Sequence, residues 1–303
     1  LDPDVSVQDG TSVAACASRH KMVNRQTLDR RMELLEKLMN GSHPPSEPIP
    51  SWVPPTCCGR HNLADRMQIS SGVLDERIAK NATKQSGQRK DPSKIQVSLT
   101  DPMAPLGRDK MKVFRPMYTV QYAIEPSSRI IMGYRCDAAV TDTGTLIPMI
   151  NTLQTIGGGR LKTMMADAAY CSILDLRDCA ERGVELLAPV QENSFTKQKQ
   201  AKKTDQQISR SEFRFDAEQN SYECPAGHEL RYSGRERKQR QGDRSLWQSR
   251  YRCDAELCQS CPLAAKCLRP SSTSRTIKRL EGQELLDAQR EKMNRPDVWT
   301  RYA

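Results

Sequence analysis

Residues 162–190, KTMMADAAYCSILDLRDCAERGVELLAPV, decide the fold class. KTMMAD is a short apolar run ending at Asp167 and reads as a buried strand. SILDLRDCAER reads as a helix that Gly183 stops, and VELLAPV as a further strand. Strand, helix and strand in so short a stretch are the signature of an α/β sheet. Just upstream, TLIPMINTLQTI reads as a helix with Pro148 in its first turn, broken by Gly157, Gly158 and Gly159. Before it, MYTVQYAI alternates, EPSS signals a turn and RIIMGYR returns, which predicts a hairpin. IQVSL, from Ile95, is a shorter strand. The chain opens with DVSVQDGT, where Val5 and Val7 alternate with polar residues up to a turn at Asp9-Gly10.

Between the first strand and Ile95 the pattern is helical. RQTLDRRMELLEKLMN carries Leu28, Met32, Leu35 and Met39 at helical spacing and stops at Asn40-Gly41. The proline-rich loop HPPSEPIPSWVPP follows, then a helical stretch over 62–81 and a polar loop over 83–94. Past Gln191 the composition becomes polar and basic, and short strands are predicted in FRFDAEQNSYEC and HELRYSG. The tail from Arg279 to Met293 is predicted helical. The expected organisation is a core over 1–192 with a helical insertion at about 25–94, and a basic linker at 193–211. A cysteine-rich β module follows at 212–278, and a helical return at 279–303.

The 303 residues carry 47 Lys and Arg against 37 Asp and Glu, a formal charge of +10. Between Arg231 and Arg252 eight basic residues face two acidic ones, so over half of the excess sits in one stretch. A localised basic stretch points to a polyanion. Trp247 and Tyr251 interleave with its arginines, and Arg235, Arg237, Lys238, Arg240, Arg244 and Arg250 are the candidate phosphate contacts. A solvated hairpin around one core tryptophan explains the same stretch without any ligand. No apolar run approaches the ~20 residues of a membrane span, and no secretory leader is recognisable, so a cytoplasmic protein is expected. The triple glycine is not followed by Lys-Ser or Lys-Thr, and no G-x-S-x-G occurs, so neither a phosphate loop nor a serine-hydrolase elbow is present.

Eleven cysteines, five of them between Cys224 and Cys267, fit a metal site better than a disulfide framework. Cys258-x2-Cys261 is a knuckle able to set two thiolates on one ion, and Cys224, Cys253, Cys267 and His228 lie nearby in sequence. A four-coordinate structural Zn2+ would take four of these six groups. Asp9 and Asp167 each fall at the predicted end of a short strand, where ligands of open α/β sheets bind. Two carboxylates converging there can hold a divalent ion for phosphoryl displacement. Their spacing alone does not require this: Asp9-Gly10 is also a turn dipeptide, and Asp167 is also a helix cap.

Taken in order, VQDGTSVAACASRH, SLTDPMAP, FRPMYTVQYAIEPSSRII, MMADAAYCS, CPAGHELRYSG and YRCDAELCQSCPLAAKCLRP resemble the DDE transposases of bacterial insertion sequences, in the branch with a cysteine-rich insertion. The resemblance spans nearly the whole chain. It implies a ribonuclease H-like mixed sheet flanked by helices, with a small cysteine-rich β module inserted after the second catalytic aspartate. It assigns Asp9 and Asp167 as the first two members of a carboxylate triad holding Mg2+ or Mn2+. It further implies cleavage at transposon ends and strand transfer, double-stranded DNA as partner, a homodimer in the DNA complex and a place at the bacterial nucleoid. The family's third carboxylate is a glutamate in the pattern Y-x2-R-x3-E. Tyr302 matches the tyrosine, which puts the glutamate six residues beyond Ala303 and suggests a chain truncated at both ends. Glu284 or Glu291 could substitute from within the chain, with neither favoured. Thr119 stands where the family has asparagine, and Asp101 reads as a turn initiator before Pro102. The competing reading is a zinc-stabilised DNA-binding remnant, or a domesticated copy, without catalysis.

Overall fold

The computed structural model describes residues 2–84, 86–191, 208, 210–239, 244–269 and 271–302. Most of the expected linker, and Arg240, lie outside the described residues. By contacts the chain divides at 7/8 and 145/146: one unit is Gln8–Thr145, the other Leu1–Val7 with Leu146–Ala303.

In the Gln8–Thr145 unit, β1 (Val5–Ala14) does not turn at Asp9-Gly10 but runs on to Ala14. The correction has a physical cause. The long strand β5 offers β1 a continuous ladder, and the Ala15 N–H still reaches the Pro116 carbonyl at 3.0 Å. Backbone groups that find ladder partners on a neighbouring strand extend along it in place of a local turn. A β2 strand (Met22–Val23) leads to α1 (Arg25–Met39), where the Asn24 side chain accepts from Thr27 N at 3.0 Å. Asn40 and Gly41, at φ +75°, end it. α2 (Cys57–Ala82) starts five residues earlier than the sequence predicts, because Thr56 caps it by accepting from Gly59 N at 3.1 Å. β3 (Val97–Ser98) pairs with β2. Leu28, Leu35, Met67, Leu74 and Val97 form the core of this helical part.

β4 (Leu106–Arg108), β5 (Phe114–Ile124) and β6 (Ile131–Asp137) complete the unit; β4 and β6 both pair antiparallel with β5, so the predicted hairpin is present. β1 neighbours β5. The buried residues of β5 include Thr119 and Gln121. The Gln8 amide donates to Gln121 Oε1 at 2.8 Å, and Gln121 donates to Asp142 Oδ1 at 2.7 Å. A buried polar chain of this kind favours one register of β1, although Gln8 Oε1 itself is buried without a partner among the described residues. On β1 the fully buried side chains are Ser6 and Gln8, while Val5 and Val7 are half-buried.

The other unit begins with the first residues of β1, beside β7 (Thr163–Ala166). α3 (Leu146–Ile156) precedes β7; α4 (Ile173–Glu181) leads from it to β8 (Glu185–Leu187), which is parallel to β7. Every β7 side chain is buried, as its unbroken apolar run predicts. β9 (Arg214–Asp216), β10 (Ser221–Glu223), β11 (Glu229–Gln239) and β12 (Ser245–Cys253) follow, then α5 (Ala255–Gln259), α6 (Ala264–Cys267) and β13 (Thr276–Leu280). They make an antiparallel sheet in the order β13-β12-β11-β10-β9. Arg279 and Leu280 therefore belong to a strand, and the tail helices start later than predicted: α7 (Gln283–Asn294) and α8 (Pro296–Tyr302). The pairing of β13 with β12 captures those residues. Leu246 of β12 and Leu280 of β13 pack with Ile173, Leu174, Leu285 and Leu286, which docks the sheet on α4 and α7. Gln289 and Lys292 of α7 donate to the Leu186 carbonyl, covering the open edge of β8.

Candidate active site and basic module

Asp167 immediately follows β7 and caps a short 3-10 turn, Ala168–Tyr170, with Oδ1 accepting from Ala169 N at 2.7 Å. Asp9 lies mid-strand, with Oδ1 accepting from Gly10 N at 2.7 Å. Both side chains are exposed. Neither forms a salt bridge among the described residues, and the second oxygen of each takes no protein hydrogen bond there. Asp101 is the contrast. It accepts from Tyr118 Oη at 2.7 Å and from Ala104 N at 3.2 Å. Burial, then that bond to Asp101, pushes the Tyr118 phenol up to about 12. Asp101 is thus a structural carboxylate in a turn, as the sequence suggests.

Tyr302 of α8 packs in one apolar cluster with Val5, Val7, Met165, Leu187, Met293 and Val298. Its Oη donates to the Ala166 carbonyl at 3.2 Å. Burial raises its pKa, and the negative charge of Asp167 raises it further. The last turn of α8 therefore lies against the strand end that carries Asp167. Glu284 is engaged by Arg279 at 3.3 Å, and Glu291 is exposed on α7.

The family model described as "Transposase DDE domain" matches residues 73–280. The chain belongs to this family. The matched stretch holds Asp101 and Asp167 and begins after Asp9. No curated protein and no solved structure matches the chain. Membership in the transposase family implies a DNA substrate and a divalent ion, Mg2+ or Mn2+. Among the described residues no helix is long and apolar enough to cross a membrane.

Both open carboxylates fit such an ion: hard oxygen ligands, each with one oxygen held by backbone and the other unengaged. Among the described residues no group of three or more His, Cys, Asp and Glu stands ready to hold a metal. The cysteine module is nonetheless a close thiol cluster. Burial pushes Cys253 up to about 12, helped by a hydrogen bond to Cys258 and by the charges of Cys258 and Cys224. Cys267 is raised by burial, lowered by Arg275, and raised again by Cys258, Cys224 and Cys261. Backbone N–H groups of His228, Leu263 and Arg275 donate to the sulfurs of Cys224, Cys261 and Cys258 at 3.3, 3.4 and 3.5 Å. The His228 backbone thus closes the turn after Cys224, with Gly227 at φ +79° inside it.

The expected phosphate contacts separate into three groups. Arg235 and Arg237 lie over the Trp247 ring, at 4.4 and 5.4 Å from its centroid. Lys238 pairs with Glu236 at 3.2 Å, and Arg250 is exposed. Arg244 grips the nearly buried Asp178 with both terminal nitrogens, one of them at 2.9 Å. Arg244→Ala strands that carboxylate on α4 and is expected to lower stability by about 2 kcal/mol. The salt dependence of DNA affinity should stay unchanged; denaturant melts and a salt titration check the two halves. Arg231, Arg252 and Lys278 are exposed neighbours of Arg250; the first two bound the basic stretch and Lys278 lies outside it.

Proposed function

We propose that the chain is the catalytic part of a DDE transposase with a ribonuclease H-like core, in which Asp9 and Asp167 hold the divalent ion. The observation that carries this reading is that Asp9, on β1, and Asp167, directly after β7, are each exposed with one carboxylate oxygen that takes no hydrogen bond among the described residues. Val5, Val7 and Met165 share one apolar cluster. Asp9 stands two residues after Val7 on β1, and Asp167 two residues after Met165. Tyr302 supports the same reading, because its hydroxyl donates to the Ala166 carbonyl beside Asp167.

A bound ion would neutralise charge at the scissile phosphate and lower the pKa of an attacking water or 3′ hydroxyl. Asp9 and Asp167 would hold it. The Ala169 and Gly10 N–H groups fix one oxygen of each carboxylate. Cleavage at the transposon ends and joining to target DNA, by a homodimer at the bacterial nucleoid, belong to the same proposal. The test uses duplexes carrying the DNA ends that flank the gene. Strand cleavage in Mg2+, lost in EDTA and restored by Mn2+, is the expected result. Duplex binding with no cleavage in either ion favours the non-catalytic remnant instead.

The cysteine module is proposed to take up one structural Zn2+. Four of Cys224, His228, Cys253, Cys258, Cys261 and Cys267 would hold it. The sulfurs of Cys224, Cys258 and Cys261 already accept backbone N–H bonds, the kind of support that orients a metal ligand.

A further inference from the structure

The two faces of the β11–β12–β13 sheet are chemically different, and the pair register sorts their residues. Tyr232 opposes Tyr251, Arg235 opposes Ser249 and Arg237 opposes Trp247. This side packs around Tyr251, which sits at the centre of the module with Phe215, Tyr222 and Tyr232. On the other side Arg231 opposes Arg252, and Arg250 opposes Lys278. All four cations are exposed.

Like charges directly opposite one another destabilise a sheet, and here two such pairs sit in adjacent rows. Two anions lie near. Glu229 pairs with Arg231 at 3.0 Å, and Glu236 bridges Lys238 at 3.2 Å and Lys278 at 3.7 Å. Arg252 donates from Nε to Ser274 Oγ at 2.7 Å. Arg250 forms no salt bridge among the described residues. The rows are about 6.7 Å apart along a strand and the strands about 4.8 Å apart. The patch therefore concentrates positive charge at a density suited to a duplex that carries one negative charge per ~1.7 Å of axis.

We propose that Arg231, Arg250, Arg252 and Lys278 form a contact surface for the phosphate backbone of double-stranded DNA, and that Arg235 and Arg237, also exposed but stacked over Trp247 on the opposite face, stand outside it. The surface offers no aromatic ring for base stacking, since Tyr232, Trp247 and Tyr251 lie on the other side. It therefore suits the phosphate backbone and not stacking on unpaired bases. The inference rests on the reading of the chain as a DNA-acting protein.

The test measures binding of the full chain to a duplex of arbitrary sequence over a range of salt. Two double variants remove the same charge from opposite faces: Arg250→Gln with Lys278→Gln, and Arg235→Gln with Arg237→Gln. The first pair is expected to reduce the slope of log K against log salt by about 1.8, near 0.9 for each phosphate contact. It should also weaken binding about tenfold or more in 0.1 M salt, with a melting temperature held or raised because a like-charge pair is relieved. The second pair should leave the slope unchanged. Arg231→Gln, on the neighbouring row, should reduce the slope by about 0.9 and serves if the first pair melts early. Duplex binding whose slope ignores Arg231, Arg250 and Lys278, or falls equally for both double variants, overturns this surface alone. No duplex binding by the wild-type chain overturns the surface and the DNA-acting reading together.

Discussion

Replacing Asp167 with asparagine is expected to reduce metal-dependent strand cleavage by at least about a thousandfold while leaving the fold intact. A bound divalent ion contributes several kcal/mol of transition-state stabilisation, and each 1.36 kcal/mol is a factor of ten in rate. Asparagine keeps the oxygen that accepts from Ala169 N, so the cap of the 3-10 turn survives. Asparagine and aspartate cap about equally well, so stability should change by less than ~0.5 kcal/mol. Asp9→Asn should behave alike, for Gly10 N needs only an amide oxygen. The double variant should be scarcely worse than either single one, because ligands of one ion act as a unit. Asp101→Asn should give the opposite pattern. Its carboxylate serves Tyr118 and Ala104, so the loss should appear in melting and not in the cleavage of folded protein. Single-turnover cleavage and thermal melts, run side by side, separate the two classes. Equal cleavage by wild type and Asp167→Asn would refute the assignment.

The second large effect concerns the thiols. Purified chain is expected to carry about one zinc, and Cys258→Ser or Cys261→Ser to bring that content close to zero. Structural zinc contributes an apparent ~10–16 kcal/mol in small modules, as much as the whole stability of an ordinary domain. Chelation should therefore melt the β9–β13 sheet and loosen its seat on α4 through Leu246 and Leu280. Near-ultraviolet dichroism from Tyr222, Trp247 and Tyr251 reads the loss, and atomic absorption reads the metal. The rival account is that the aromatic core suffices: Phe215 and Tyr222 lie with ring centroids 5.0 Å apart, and Tyr222 and Tyr251 5.1 Å apart. An unchanged melt in excess chelator, with no zinc in the purified protein, would establish that account.

Local pattern made the strand–helix–strand unit of β7, α4 and β8 legible, because an unbroken apolar run, a glycine stop and a second apolar run leave few alternatives. The β5–β6 hairpin was legible from its turn. The course of β1 was not. Asp9-Gly10 is a good turn locally, and only the ladder offered by a strand more than a hundred residues away overrides it. For the same reason Ser6 and Gln8, not Val5 and Val7, became the most deeply buried side chains of β1. A buried amide needs a partner, and Gln121 supplies one from a distant part of the chain. Composition located the basic stretch but could not divide it. Arg244 resembles its neighbours in sequence and is held by Asp178; Arg235 and Arg237 are separated from Arg250 only by sheet register. Asp167 could be named from the family resemblance, whereas its open second oxygen is a structural fact.

Crystals of the chain soaked in Mn2+ test the central claim most directly, since manganese scatters anomalously and takes the oxygen ligands of magnesium. The account predicts one anomalous peak within about 2.2 Å of a carboxylate oxygen of both Asp9 and Asp167. A peak bound by Asp167 with Asp9 turned elsewhere, or ordered Mn2+ only at other carboxylates, would contradict it.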